Sequence, residues 1–171
     1  MPIYTLGDRV PQIHPDAYVH PDAVVIGDVR IGADSSIWPS AVLRGDYGTI
    51  IVGERTSIQD GAVIHAVDEY PTVIGSDCVI GHLAHLEGCN IEDKVLIGSG
   101  SIVLHQVVVH SGATVGAGAV VRNGTDVPTN AMALGVPATL RLDSCTEEVA
   151  VASAALYAEN GRRYKAELKK F

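Results

Sequence analysis

The sequence predicts an all-β chain, a parallel β-helix of hexapeptide repeats closed by one C-terminal α-helix. Three observations carry that expectation. Aliphatic residues followed by glycine recur in steps of six, at Ile74-Gly75, Ile80-Gly81, Ile97-Gly98 and Val115-Gly116, and Val103, Val109 and Val121 fill the same register. Small residues stand four places after the aliphatic ones: Ser35 after Ile31, Thr56 after Val52, Cys78 after Ile74, Ala84 after Ile80, Ser101 after Ile97 and Ala119 after Val115. Beyond Val121 the glycine rhythm fades and the composition turns to Ala, Glu, Lys and Arg. A six-residue strand cannot bury its aliphatic face alone, so this period implies strands stacked coil upon coil.

Taken in order, the step starts less regularly through Ile31, Ile37, Val52, Ile58 and Ile64. Three hexads make one triangular coil, with the aliphatic and the small residue both pointing inward and glycine where a Cβ would obstruct. The rhythm breaks once in the middle, because Ile64 and Ile74 are ten residues apart instead of six. That places a loop over 66–72. The repeat ends through Asp126-Val127-Pro128 and the Gly135-Val136-Pro137-Ala138 turn. A helix follows: Ser144 and Glu147 match a capping box, Thr146 is a competing N-cap, and Val149, Ala152 and Leu156 form the apolar stripe expected to lie along the prism. Asn160-Gly161 is expected to end or interrupt it. The chain thus reads as a single domain, 1–171, with the β-helix over about 10–140 and the helix over about 144–170.

Composition narrows the partners. Of 171 residues 47% are hydrophobic, but one Trp and one Phe leave only an aliphatic core, which suits a thin stack of strands. A formal charge of −8 and a pI near 5.2 argue against nucleic acid, whose phosphates need a basic footprint. Cys78, Cys89 and Cys145 form no C-x-x-C pair, so packed, reduced thiols are expected, and with them the cytoplasm. Met1-Pro2-Ile3-Tyr4 leads into charged residues rather than a signal peptide, and no apolar run reaches the length of a membrane span.

Three segments depart from the repeat: Arg44-Gly45-Asp46, Ser57-Ile58-Gln59-Asp60, and the run from Gly81 to Cys89 that contains His82, His85 and Glu87. With Ile64, Ile74, Ile80 and Leu86 as successive inward corners, Leu86 lies one coil after Ile64. His65 and Glu87 each follow an inward residue and so point outward on one face, about 4.8 Å apart across adjacent strands. His85 points to the same face, displaced along the strand by about 6.6 Å. His82 sits two after Ile80, near a bend, within reach of a neighbouring subunit. In the 66–72 loop, Asp68, Glu69 and Tyr70 read first as solvent-facing loop residues; the functional alternative has Asp68 or Glu69 shuttle protons and Tyr70 wall a pocket. His14, His20, His105 and His110 show no paired ligand spacing and read as surface or interface residues.

These motifs together resemble the gamma-class carbonic anhydrase family, over most of residues 10 to 140. The resemblance implies a left-handed β-helix and a homotrimer with a metal at each subunit interface, bound by two histidines of one subunit and one of its neighbour. His65 and His82 fall at two ligand positions. At the third the family carries histidine and this sequence carries Glu87, with His85 as the substitute ligand. Zn²⁺ suits such a His, His, Glu set, and Fe²⁺ is the alternative. The resemblance gives Arg44 and Asp46 an interface ion pair, Gln59 the orienting of metal-bound water, and Asp60 the holding of a loop or a pairing with Arg44. Ser57 stands where the family often has Asn, which removes an amide. The implied reaction is hydration of carbon dioxide to bicarbonate, weakened by the charge of Glu87. An acyl-CoA-linked transferase or thioesterase, and a non-catalytic trimeric assembly module, are the alternatives.

Overall fold

The computed structural model describes residues 2–171. Among them are twenty strands and one helix. The strands stack in parallel register into the three faces of a left-handed β-helix of about seven coils. One face carries Val120–Val121, Ile102–Val103, His85–Glu87, Val63–His65 and the first part of Val42–Val52. That long strand turns a corner, so residues 50–52 pair instead with Thr72–Ile74 on the second face, which continues through Asn90–Ile91 and Val108–Val109. The third face runs from Tyr18–Val19 through Ser36–Ile37, Ser57–Ile58, Val79–Ile80, Leu96–Ile97 and Thr114–Val115 to Met132–Leu134. There the sense reverses: Thr139–Arg141 returns antiparallel along Met132–Leu134 with every residue exposed.

The interior follows the hexad. Ile37, Ile58, Ile64, Ile80, Leu86 and Ile97 are all fully buried, each such side chain contributing about 1.5–3 kcal/mol of transfer free energy. The small inward residues are buried beside them, and their hydroxyls bond to the next coil. Ser35 Oγ donates to the Gly53 carbonyl at 2.6 Å and Thr56 Oγ1 to the Gly75 carbonyl at 2.7 Å. Polar atoms are thereby satisfied in a core that excludes water. At the same corner a Cβ on Gly53 would lie 2.6 Å from the carbonyl carbon of Gly75. Coils stack this closely only because that position has no side chain.

The C-terminal helix spans Glu147–Glu167 and corrects the expectation in three ways. Its N-cap is Thr146, which makes no side-chain cap hydrogen bond, and Ser144 donates to the Leu142 carbonyl instead, so no capping box forms. The buried stripe is Ala150, Ala154, Ala158 and Gly161, whereas Val149 and Leu156 are 62% and 60% exposed and Ala152 is exposed. Asn160-Gly161 neither ends nor interrupts the helix. The third face supplies the reason. It presents the rings of Tyr18 and Trp38, which Tyr157 and Tyr164 of the helix meet at centroid distances of 5.1 to 5.9 Å. Close approach of the backbones between those rings admits only small residues, and a Cβ on Gly161 would stand 3.4 Å from Ser36 Cβ and Tyr18 Cβ. Trp38 Nε1 lies 3.0 Å from both Ser36 Oγ and Ser57 Oγ, which accounts for two buried serines beneath the helix. No helix among the described residues is long and apolar enough to cross a membrane.

Candidate functional site

The register pairs Leu86 with Ile64 and Glu87 with His65, and on the other side of His65 it pairs Arg44. Three consecutive coils therefore place Arg44, His65 and Glu87 side by side, outward, on one face. A continuous string of contacts joins them. The Arg44 guanidinium donates to Asp46, Asp46 Oδ1 lies 3.0 Å from His65 Nε2, and His65 Nδ1 lies 2.7 Å from Glu87 Oε1. Partial burial favours the neutral carboxyl at Asp46, but hydrogen bonds from Arg44 and His65 outweigh it and hold Asp46 below the usual carboxylate range. Glu87 is held low in the same way, with burial opposed by its bond to His65 and by the charges of His65, His105 and His85.

The second oxygen of Glu87 faces two more imidazoles, His85 Nε2 at 3.5 Å and His105 Nε2 at 3.6 Å. His105 is a part-exposed residue at this surface that the sequence does not tie to the site, and it is stacked on Tyr70 with centroids 5.7 Å apart and planes at 27°. The signal for it was a shortened coil. Leu86 pairs with Val103, a step of 103 − 86 = 17 rather than three full hexads, so His105 falls beside Gly88.

Other expected site residues lie apart from it within one chain. His82 has a half-exposed side chain with Nδ1 3.0 Å from Asp60 Oδ2, so Asp60 pairs with His82 and not with Arg44. Gln59 is buried, its backbone fixed between Ile80 and Ala62, and its amide makes no hydrogen bond to the cluster. Asp68 and Glu69 occupy the exposed tip of a turn over 67–70, with Asp68 3.8 Å from Arg9. Among the described residues no three His, Cys, Asp or Glu side chains of one chain stand ready around a common point for a metal.

A family model described as bacterial transferase hexapeptide (six repeats) matches residues 11–45 and 88–123. Gamma carbonic anhydrase 1, mitochondrial, of Arabidopsis thaliana is 43% identical over 152 residues, covering 85% of this chain and 55% of that protein. Carnitine operon protein CaiE of Escherichia coli K12 is 39% identical over 138 residues, covering 81% of this chain and 70% of that protein. The chain belongs to the gamma carbonic anhydrase-like family of hexapeptide-repeat proteins. It spans about half the length of the two Arabidopsis gamma carbonic anhydrases it matches. The solved structure of a hexapeptide transferase family protein from Anaplasma phagocytophilum superposes with a TM-score of 0.88 at 34% identity, over 95% of this chain and 96% of that one. A hexapeptide-repeat-containing acetyltransferase from Vibrio cholerae, complexed with acetyl coenzyme A, gives 0.57 at 25% identity over 64% and 68%.

In this gamma carbonic anhydrase-like chain, two observations fit the side chains to a divalent cation. A carboxylate on the far nitrogen of a histidine orients the ring and raises its basicity as a ligand, and Asp46, itself anchored by Arg44, stands in that relation to His65. The nearer nitrogen then faces Glu87. In addition, His105 Nε2 is buried without a hydrogen-bond partner, so the polar wall around Glu87 carries an unmet donor or acceptor.

Proposed function

We propose that the protein is a metal-dependent hydratase that converts carbon dioxide to bicarbonate as a homotrimer. His65 and Glu87 of one copy and His82 of a second hold Zn²⁺, or Fe²⁺ as the alternative, with His85 as the substitute for Glu87. The observation that carries this reading is the 2.7 Å contact between His65 and Glu87 on adjacent coils, backed by Asp46 and Arg44. When bound, the cation supplies Lewis acidity toward water. The residues do the rest. Gln59 offers an uncharged amide that orients a water or substrate oxygen without titrating. Asp68 and Glu69, on their exposed turn, pass protons to solvent. Glu87 adds a negative charge where an imidazole would be neutral, so the field that polarises water is weaker and the rate lower.

A trimer is supported by the surface beside the site. Val63 and Ile102, the register partners of His85, are 39% and 36% exposed, and Leu83 next to His82 is 71% exposed. A second copy covers such groups and brings its own His82 to the cluster. Metal content, light scattering and stopped-flow hydration of carbon dioxide test the reading together. His65→Ala and His82→Ala are each expected to lose metal and activity while circular dichroism keeps the strand signal. A purified trimer that takes up neither Zn²⁺ nor Fe²⁺ would sink it.

The likeness to the acetyl-CoA-bound Vibrio structure favours a second reading, an acyl-CoA-linked transferase or thioesterase. Coenzyme A binding in the absence of metal separates the two. A protein that binds neither is left as a trimeric assembly module.

A further inference from the structure

Just past the His65–Glu87 pair, two adjacent coils turn the same corner by routes of different length. The coil of His65 takes seven residues, 66–72, to reach Val73, whereas the next coil takes two, Gly88 and Cys89, between Glu87 and Asn90. Pairing resumes beyond the corner, where the Val73 N–H donates to the Cys89 carbonyl at 2.9 Å. Before the corner the Val63 N–H donates to the Ala84 carbonyl, with Val63 paired to His85. By the same offset, the rung after His65 would take the Gly88 N–H directly to the His65 carbonyl. A relay stands in its place: Gly88 donates at 2.8 Å to Thr72 Oγ1, and the Thr72 hydroxyl donates to the His65 carbonyl. Thr72 is fully buried at the end of the longer route, and its one oxygen serves both coils. A hydroxyl accepts and donates at once, so it fits between an amide and a carbonyl where a hydrocarbon of the same shape does not.

We propose that Thr72 is the positioning residue of this site: its hydroxyl sets the backbone spacing from which His65 and Glu87 project. The inference rests on the reading of His65 and Glu87 as ligands, and it adds a residue that touches neither the cation nor the substrate. Loss of the relay oxygen leaves two courses. Gly88 and His65 close into a direct bond, which draws the strand ends together, or two buried backbone groups go unmet and the ends part. Either course moves the Glu87 carboxylate against the His65 ring, whose contact is 2.7 Å. The competing role for Thr72 is a staple of the 66–72 loop that bears on stability alone.

The test uses the full-length protein as wild type and as Thr72→Ser, Thr72→Val and Thr72→Cys. Serine keeps the hydroxyl, and valine keeps the shape without it. Cysteine offers a longer, weaker donor and acceptor, and guards against a valine variant that does not fold. Circular dichroism and thermal melts give the fold and stability of each. Two readouts follow well below every melt: affinity for Zn²⁺ and Co²⁺ by titration, and the ring ¹H–¹⁵N correlations of His65 in the metal-free protein, which report its contact with Glu87. The expected result is affinity lowered about tenfold or more in Thr72→Val, by less in Thr72→Cys, and restored in Thr72→Ser, with the His65 signals displaced in the same order. Folded valine or cysteine variants that melt lower but keep wild-type affinity and unmoved His65 signals make Thr72 a loop staple. The inference then fails while the hydratase reading stands. A wild type that binds neither metal overturns both.

Discussion

Glu87 meets three imidazoles, His65 on one oxygen and His85 and His105 on the other. Under the proposed function, Glu87→His removes a negative charge from the cation's surroundings. It is expected to raise carbon dioxide hydration near neutral pH at matched metal occupancy, read by stopped flow. An unchanged rate would mean that the carboxylate does not set the field. The pair at residues 65 and 87 was legible in the sequence because Ile64 and Leu86 are inward, which fixes the facing of the residues that follow them. His105 was not, because one dropped residue in the coil between Leu86 and Val103 shifts the count. A second residue-scale device lies on another face, where His110 sits 3.0 Å from Glu92 and 3.1 Å from Asp126. Backbone and side-chain bonds from Ser111, with His110 beside it, lower the Glu92 carboxyl below its ordinary value near 4.5. Its stabilisation is therefore present above that pH and lost as pH falls through the lowered value. For His110, burial opposes the charge, but Asp126 and Glu92 raise it above 6.5. That contribution is complete below 6.5 and lost as pH rises through the raised value. His110→Ala should thus lower the melting temperature most between about pH 4.5 and 6.5 and progressively less at alkaline pH, as a melt series across pH would record.

At the scale of the element, the helix shows where sequence pattern and packing part. Val149, Ala152 and Leu156 form the more hydrophobic stripe, and that rule would bury it. The third face instead presents the tilted rings of Tyr18 and Trp38, met edge-on by Tyr157 and Tyr164, and Ala150, Ala154, Ala158 and Gly161 are the helix residues buried between them. Tertiary shape overrode hydrophobicity, which no reading of the helix alone reveals. The strands had no such freedom, since burial of alternate faces on adjacent coils left one register for each hexad. Gly161 allows a quantitative check. A methyl group there would meet its neighbours at 3.4 Å, an ordinary contact, while helix propensity favours alanine by about 1 kcal/mol. Gly161→Ala is expected to raise stability by up to about 1 kcal/mol, and Gly161→Val to lower it by about 1–3 kcal/mol through overpacking. Denaturant titrations followed by Trp38 fluorescence report both, since the indole lies against the same helix.

Along the prism each coil stacks on its neighbours, and on the third face the helix ties several coils together, so stability sums from interface to interface with the helix as a brace across them. The candidate site draws on Arg44, His65, Glu87 and His105 from successive coils, so the spacing of its backbone positions is set by the stacking. Such a stack has a hazard at its ends. The last parallel strand of the third face, Met132–Leu134, would offer an unpaired row of amides and carbonyls to any similar coil, and end-to-end addition would grow a filament without limit. The antiparallel return of Thr139–Arg141 occupies that row with a short strand that carries an arginine and has no buried residue. Reversed direction breaks the parallel template, and the charge discourages a newcomer. A chain cut after Gly135 is expected to self-associate with rising concentration in light scattering, where the intact protein holds a fixed size. The same six-residue period that makes the fold simple to extend is what obliges it to carry a terminator.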